Sequence, residues 1–420
     1  MTRTSILLAA SSAVLLFGSA ANADVVLDWN NIMVATVSGQ NPFAQARFAA
    51  ITQLAVFEAV NAVTGQYTPY LGTISAPPGS SVEAAAIASA HMVLRNYFPG
   101  ASATLDAARA NSLASIPDGL AKLNGIAVGQ AAAAALIAAR AYDGSAPPQF
   151  YTPASSDPGQ WQPTPACPAA GGILLQWRNV TPFAVQSSSQ FRSDPPPSLS
   201  GPQYATSYNE VKLVGDLNST ARPPHLSDVA TFYSLVSAVA VWNPVAGQLA
   251  IEQGSSLAEN ARTLALINMA MSDALVTVME TKYYYTRWRP ETAIRDGALD
   301  GNPRTEPDPA FKPFIVTPCF PSYPSAHGSA SYSAREILAR IFGSRPHSIT
   351  LSNPADPGVV LQYNNLTAIT DDIDDARVYG GIHFRYDQEA GGDQGSAIGK
   401  YIYREKLGCV KGCNSGQGTQ

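Results

Sequence analysis

A chain of 420 residues is long enough to bury a large core and, by length alone, to form two or three domains. Hydrophobic residues make up 46% and charged residues 14%, which excludes an intrinsically disordered chain. A formal net charge of -5 gives no general electrostatic reason to bind nucleic acid or an anionic membrane surface, so an anion site must be a local cluster of cations.

The first residues read as an export signal. Arg3 opens a short basic start, an apolar stretch runs from Ile6 to about Ala20, and Ala21-Asn22-Ala23 supplies a small-residue cleavage site. Residues 1–23 are therefore expected to be removed after Ala23, with the remainder secreted or periplasmic. The competing reading is a membrane anchor, for which the apolar run is short. No twin arginine is present, which predicts export in the unfolded state and loading of any cofactor outside the cytoplasm. Beyond this signal no uninterrupted apolar run of spanning length is expected; the richest, Ala131 to Ala139, meets Arg140.

Helical periodicity dominates the rest. Asn41-Pro42 opens a helix in which Phe48, Ile51, Ala55 and Ala59 recur at three and four, closed by Gly65. Further helices are predicted over Val82 to Phe98, about Ala101 to Ile116, and the alanine-rich Leu120 to Ala141. Residues 144–202 lose periodicity and gain proline and glycine, a long coil for a compact domain. Trp161, Trp177 and Phe183 are expected to pin it against helices. Helices resume over Tyr204 to Gly215, Ser227 to Trp242 and about Leu257 to Trp288, where Pro290 ends or kinks the run. The last three span about Ser329 to Phe342, Asn364 to Tyr379 and Ile382 to Leu407, and no strand pattern is convincing. The reading is all-α, stacked helical bundles, in four stretches: signal 1–23, N-terminal helices 24–143, connecting segment 144–202 and a catalytic region 203–420 forming one unit with the N-terminal helices.

Four cysteines, Cys167, Cys319, Cys409 and Cys413, suit an oxidising compartment and allow three pairings. A local Cys409–Cys413 bridge would leave Cys167 with Cys319. A zinc site is disfavoured because no histidine lies near the close pair.

Three short blocks carry the ionisable groups. In Lys282-Tyr283-Tyr284-Tyr285-Thr286-Arg287-Trp288-Arg289-Pro290, the lysine and the last arginine are two helical turns apart, a rise of ~10 Å, so they would share one face and converge on one anion. A solvated basic stripe is the plainer alternative. In Phe320-Pro321-Ser322-Tyr323-Pro324-Ser325-Ala326-His327-Gly328-Ser329, a helix start, its free amides and the Ser325 hydroxyl make an anion cradle with His327 at its edge. A proline-rich turn with a capping serine would look the same. In Arg377 to Asp387, Gly380-Gly381 permits a tight turn, and His383 and Asp387 lie four apart on one helical face, where a carboxylate would fix the imidazole tautomer. Alone, such a pair is more often structural. His91, His225 and His347 read as structural or exposed.

Taken together, K-(six)-R-P, P-S-x-H and R-(five)-H-(three)-D resemble the vanadium haloperoxidase and PAP2-type acid phosphatase superfamily, and the context of Phe320 and Tyr323-Pro324 resembles its chloroperoxidase branch. The blocks span residues 282–387, and the upstream helices, the Pro-rich middle and Trp242-Asn243-Pro244 also resemble secreted bacterial members. Three positions depart from the pattern. Ala326 stands where glycine is usual, Ala376 where serine is usual, and Met279 where an aromatic is common, which leaves halide choice in doubt.

The resemblance implies a vanadate cofactor anchored on His383 as metal ligand. Lys282, Arg289, Arg377, Ser325 and the Ala326 amide would bind its oxygens, and phosphate could occupy the same site. His327 would act as acid–base group toward hydrogen peroxide and Lys282 would polarise the bound peroxide, with a halide as second substrate. Asp387 and Phe320 would stand behind this set; Asp273, nine residues before Lys282 and near the same helical face, reads either as a buried carboxylate buffering the cations or as an ordinary helix-face charge. The rival enzyme would be a phosphatase in which His383 attacks a phosphomonoester and His327 protonates the leaving alcohol. A catalytically silent oxyanion-binding protein is the third reading. Oligomeric state and organic substrate are left open.

Overall fold

The computed structural model describes residues 24–343 and 345–411. The expected signal and Cys413 lie outside the described residues.

Thirteen α-helices and one hairpin make up the described chain. At the centre lies α9, Leu257–Tyr285, which the other layers surround. Its start is fixed by a capping box, Ser256 with Glu259, and nearly every residue from Asn260 to Tyr283 is buried. On one side α2 (Pro42–Thr64) packs against it and carries α3 (Val82–Tyr97), α5 (Leu120–Ala139) and α4 (Ser102–Ala114) outward. On the other side lie α11 (Ala326–Phe342), α13 (Arg385–Glu405) and α8 (Ala238–Gln253). A second apolar cluster, with Tyr204, Tyr208, Trp288, Phe311 and Phe384, joins α6 (Pro202–Val214) and α10 (Pro290–Arg295) to this side. Two further helices are α7 (Pro224–Leu235), packed on α12 (Leu366–Tyr379), and α1 (Val25–Val37).

Several elements depart from the sequence reading. α1 was not anticipated; Trp29, Met33 and Val37 bury one face at every fourth residue, and Asp24 caps it through the amides of Val26 and Leu27. The helix expected from Ser227 to Trp242 is two helices, α7 and α8, meeting at a 100° bend. Ser237 caps the second, accepting from the amide of Ala240 at 3.2 Å. A hairpin of β1 (Ile349–Asn353) and β2 (Asp356–Tyr363) was missed because its alternation covers only Ile349, Leu351 and Asn353 before the turn.

Length and apolarity also correct the expectation about membrane spans. Over an 18-residue window α2, α5 and α9 are each apolar enough to cross a bilayer, although charged or polar residues interrupt their runs. The windows of α2 and α9 are 83% and 100% buried inside the protein, and that of α5 is 33% buried.

The connecting segment is strapped to the bundle. Asp273 of α9, fully buried, accepts from the amides of Phe183, Ala184 and Val185 at 2.6–2.9 Å. Trp161, Trp177 and Phe183 are buried, as their pinning role requires. A Cys167–Cys319 disulfide joins the strap to the residue before Phe320.

The seam between α11 and α13 sets the distance between two of the three blocks. Gly391, Gly395 and Gly399 of α13 face Ser325, Ser329 and Ser333, each four residues apart. A Cβ at Gly395 would stand 2.1 Å from the Ser329 carbonyl oxygen, so only glycine permits this approach. Alanine gains about 1 kcal/mol of helix propensity over glycine. Overpacking a tight interior costs about 1–3 kcal/mol or more and should win here. Chemical denaturation should therefore show Gly395→Ala destabilised. Gly247→Ala, in α8 where an added Cβ meets nothing within 4 Å, should be neutral or stabilised.

Candidate functional site

The three blocks meet at one place, by different local routes from those the spacing suggested. α9 ends at Tyr285, and Thr286 turns left-handed with φ 49°. Arg287 to Arg289 then run extended beside the strap, with Trp161 N–H donating to Thr286 O at 2.6 Å and Trp288 N–H to Gly159 O at 2.9 Å. That pairing, together with the preference of a pre-proline residue for extended geometry, stops the helix three residues early. Lys282 and Arg289 therefore do not share a helical face. They converge because the chain turns back: the Lys282 ammonium lies 5.3 Å and the Arg289 guanidinium 5.0 Å from the centre of the Phe320 ring.

His383 and Asp387 are likewise not both helical. Gly381, at φ 79°, makes a tight turn after α12, and α13 starts only at Arg385. Asp387 reaches back from the first turn. Its Oδ2 faces His383 Nδ1 at 2.9 Å and accepts from the Ser322 hydroxyl at 2.5 Å and the Phe384 amide at 3.1 Å. Such a bond fixes Nδ1 as the protonated nitrogen and leaves the Nε2 lone pair pointing away from the carboxylate. Nε2 meets Arg289 Nη1 at 3.0 Å.

α11 starts at Ala326, three residues before the predicted Ser329. Ser325 is its N-cap and accepts from the Gly328 amide at 3.2 Å. This places Ala326 and His327 in the first turn, at the positive end of the helix. His327 Nε2 is 3.4 Å from the Val236 carbonyl at the α7–α8 bend, and Arg377 Nη1 donates to the Tyr233 carbonyl at 3.3 Å. His327, His383, Arg377 and Ala326 open into a cleft of about 590 Å³.

The charge balance is one-sided. Lys282, Arg289 and Arg377 are buried, and Asp387 is the single carboxylate among their counter-charges. Burial, and then repulsion from Arg289 and Arg377, drives the Lys282 ammonium well below its usual range despite Asp387. Lys282 nonetheless donates to the carbonyls of Pro321 and Ser322 at 2.9 and 2.6 Å, bonds that suit the charged form. Burial followed by the same cations holds His383 well below 6.5, and burial with Arg377 holds His327 at about 3. Both rings are therefore neutral near pH 7. Asp387 is pushed up by burial and pulled back by Ser322, Lys282, Arg289 and the Phe384 amide; those donors favour the carboxylate.

A tetrahedral oxyanion fits this donor set. Arg289 Nη2 and Arg377 Nε are buried without a hydrogen-bond partner among the described residues, which is costly unless an acceptor joins them. Asp273 does not belong to the set. It sits nine residues before Lys282 and spends its carboxylate on the strap. Sequence reasoning missed Ser322, hidden between two prolines in a stretch that reads as a turn. It also missed Tyr233 and Val236, which contribute only carbonyl oxygens and so carry no side-chain signal.

Comparison with known proteins agrees with the motif reading. Residues 262–412 match the family model described as the VCPO second helical-bundle domain. A vanadium chloroperoxidase from Curvularia inaequalis is 26% identical over 196 residues, which are 39% of this chain and 31% of that protein. The chain thus matches about a third of the length of that relative. Among solved structures, the first bacterial vanadium-dependent iodoperoxidase shares 23% identity at a TM-score of 0.76, covering 93% of this chain and 97% of that one. A holo-type bacterial vanadium-dependent chloroperoxidase shares 18% identity at a TM-score of 0.72, covering 89% and 97%. The chain is thus similar to vanadium haloperoxidases in sequence over residues 262–412 and in fold over nearly its whole length.

The histidine environments give a direct test. An ordinary histidine is half protonated at 6.5, whereas a depressed value keeps the ring neutral until far lower pH. Nitrogen-15 spectra of the imidazoles should show the His383 and His327 rings neutral, each with one protonated nitrogen, from pH 7.5 to 5. Assignment by His383→Gln and His327→Gln identifies the two signals. A transition near 6.5 in either would contradict the buried cationic setting.

Proposed function

We propose that this chain is a vanadium-dependent haloperoxidase, oxidising halide with hydrogen peroxide at a vanadate held by His383. The observation that carries the reading is His383 Nε2, left unprotonated by the Asp387 bond, met by Arg289 at 3.0 Å and set among three buried cations that outnumber the carboxylates beside them. When bound, vanadate supplies Lewis acidity that activates peroxide toward halide without a change in the metal's oxidation state. Lys282, Arg289 and Arg377 would hold the oxyanion charge, with Ser325 and the first amides of α11, including that of Ala326, completing the cradle. His327, neutral at working pH, would accept a proton from incoming peroxide. Phe320 fixes the distance between Lys282 and Arg289 by lying against both.

The same cradle suits phosphate, so the decisive experiment runs both assays on one preparation. Protein reconstituted with vanadate should oxidise iodide or bromide in a peroxide-dependent manner, and phosphate should inhibit by competing for the site. Hydrolysis of p-nitrophenyl phosphate by the vanadate-free protein, without peroxidase activity in the reconstituted form, would replace this reading with the phosphatase. Silence in both assays with tight vanadate binding would leave an oxyanion-binding protein.

The two histidines should separate. His383→Ala should lose vanadate binding and all turnover. His327→Ala should still bind vanadate, while its turnover falls ~10²–10⁴-fold, the usual worth of acid–base help. Calorimetry beside initial rates reads both. Equal loss of vanadate from the two variants would overturn these roles.

Work outside the cytoplasm is part of the proposal, supported by the signal-like residues 1–23 and by the Cys167–Cys319 bridge. N-terminal sequencing of exported protein should return Asp24; Met1 would count against export by cleavage.

A further inference from the structure

Peroxide and halide are small and hydrated, and neither needs the cleft that leads to the two histidines. Its volume, about 590 Å³, lies within the range of roughly 300–1,000 Å³ typical of sites for drug-sized ligands. Phe43, Leu174, Val239, Leu275, Phe314 and Phe320 form its walls, from five separate stretches of chain. Among the described lining residues the only ionisable ones are Arg377, His327 and His383, all at the catalytic end.

Two further observations point to a ligand. Among the described residues Leu174 is one of three non-glycine residues with a left-handed backbone, at φ 64°, a conformation that costs energy and is concentrated at ligand and active sites. It is held there between the Ile173 amide, which donates to Cys319 O at 2.9 Å, and the short helical turn of Leu175–Asn179. At the rim, Leu235 and Val316 are 52% and 76% exposed, so the apolar surface of the walls continues to the mouth.

We infer that this cleft is a binding site for the organic acceptor: an uncharged, apolar molecule with an electron-rich aromatic ring, halogenated while it is bound. The inference rests on the haloperoxidase reading for its chemistry and on the cleft alone for its binding. In balance, halide gives two electrons to hydrogen peroxide, whose O–O bond breaks. The acceptor carbon forms a bond to the halogen and loses its proton. One acceptor, one halide, one peroxide and one proton give the halogenated product and two waters. The apolar walls would orient the acceptor by shape and exclude charged competitors.

The test uses the whole chain with 2-naphthol as probe and two readouts. In the first, calorimetry without peroxide or halide should show saturable binding of 2-naphthol, weakened about tenfold by Leu235→Trp at the rim and by Val239→Phe in the wall. Leu235 is half exposed, so its variant is expected to fold even if the wall variant does not. In the second, the vanadate-reconstituted protein brominates an equimolar mixture of 2-naphthol and 4-hydroxybenzenesulfonate. The product ratio should favour the naphthol about tenfold over the ratio given by reagent hypobromous acid, and Leu235→Trp should bring it back toward the reagent value. A wild-type ratio equal to that of the reagent would overturn the inference, because oxidised halogen would then be leaving before it meets the acceptor. Absence of saturable binding would overturn it as well. Loss of halide oxidation altogether, with naphthol binding intact, would instead sink the haloperoxidase reading and leave the cleft standing.

Discussion

One carboxylate holds the site together. Asp387 Oδ2 takes bonds from the imidazole of its own block, the Ser322 hydroxyl of the second block and the Phe384 amide, while its backbone oxygen accepts from Ser325 N–H at 2.8 Å. The same group is the counter-charge of Lys282 and Arg289 from the first block. Remove it and three chain segments lose their common point of attachment. The cations would then face one another with no anion between them, an arrangement a low-dielectric interior penalises heavily. The fold tolerates so much buried positive charge because helices, strap and disulfide over-determine the positions of its bearers.

The rest of the architecture serves that point by fixing backbone rather than by adding charge. The strap pairs with the chain just after α9 and so forces Arg289 out of the helix and toward Phe320. The bend between α7 and α8 turns two carbonyls toward Arg377 and His327. Gln394 ties α13 to Thr281 of α9, Ser329 of α11 and Phe191 of the strap. Rigid elements of this kind position donors in advance, which is what an oxyanion site requires.

Much of this was legible in the sequence. The long apolar periodicities gave α2, α3, α5, α9 and α13 with small errors at their ends, and the three motif blocks named the residues that the fold brings together. What failed did so for tertiary reasons. The helix expected to about Trp288 assumed that local propensity would run on until Pro290, whereas hydrogen bonds to Gly159 and Trp161 captured the backbone first. Asp273 looked close to Lys282 because helical spacing says which face a residue is on and not which partner will reach it. The bend before Ser237 was not anticipated, because the apolar run continues on both sides of it. The acceptor cleft had no linear signature, since its walls come from stretches as distant as Phe43 and Phe320.

The repeat between α11 and α13 has a consequence for register. Serines at 325, 329 and 333 and glycines at 391, 395 and 399 recur with one period, so the contact resembles a ratchet with identical teeth. Sliding one helix by a single tooth, about 6 Å at the α-helical rise, would bring each remaining glycine opposite a new serine carbonyl and keep most of the packing. Packing alone therefore distinguishes poorly between neighbouring settings. The discriminating contacts are polar: Gln394 with Ser329 along the seam and, at its end, Asp387 with the Ser322 hydroxyl and the Ser325 amide. The chemistry of the site and the choice of helix alignment are in this way decided by the same few atoms, so a chain that assembles in the wrong notch is also one that cannot hold the anion.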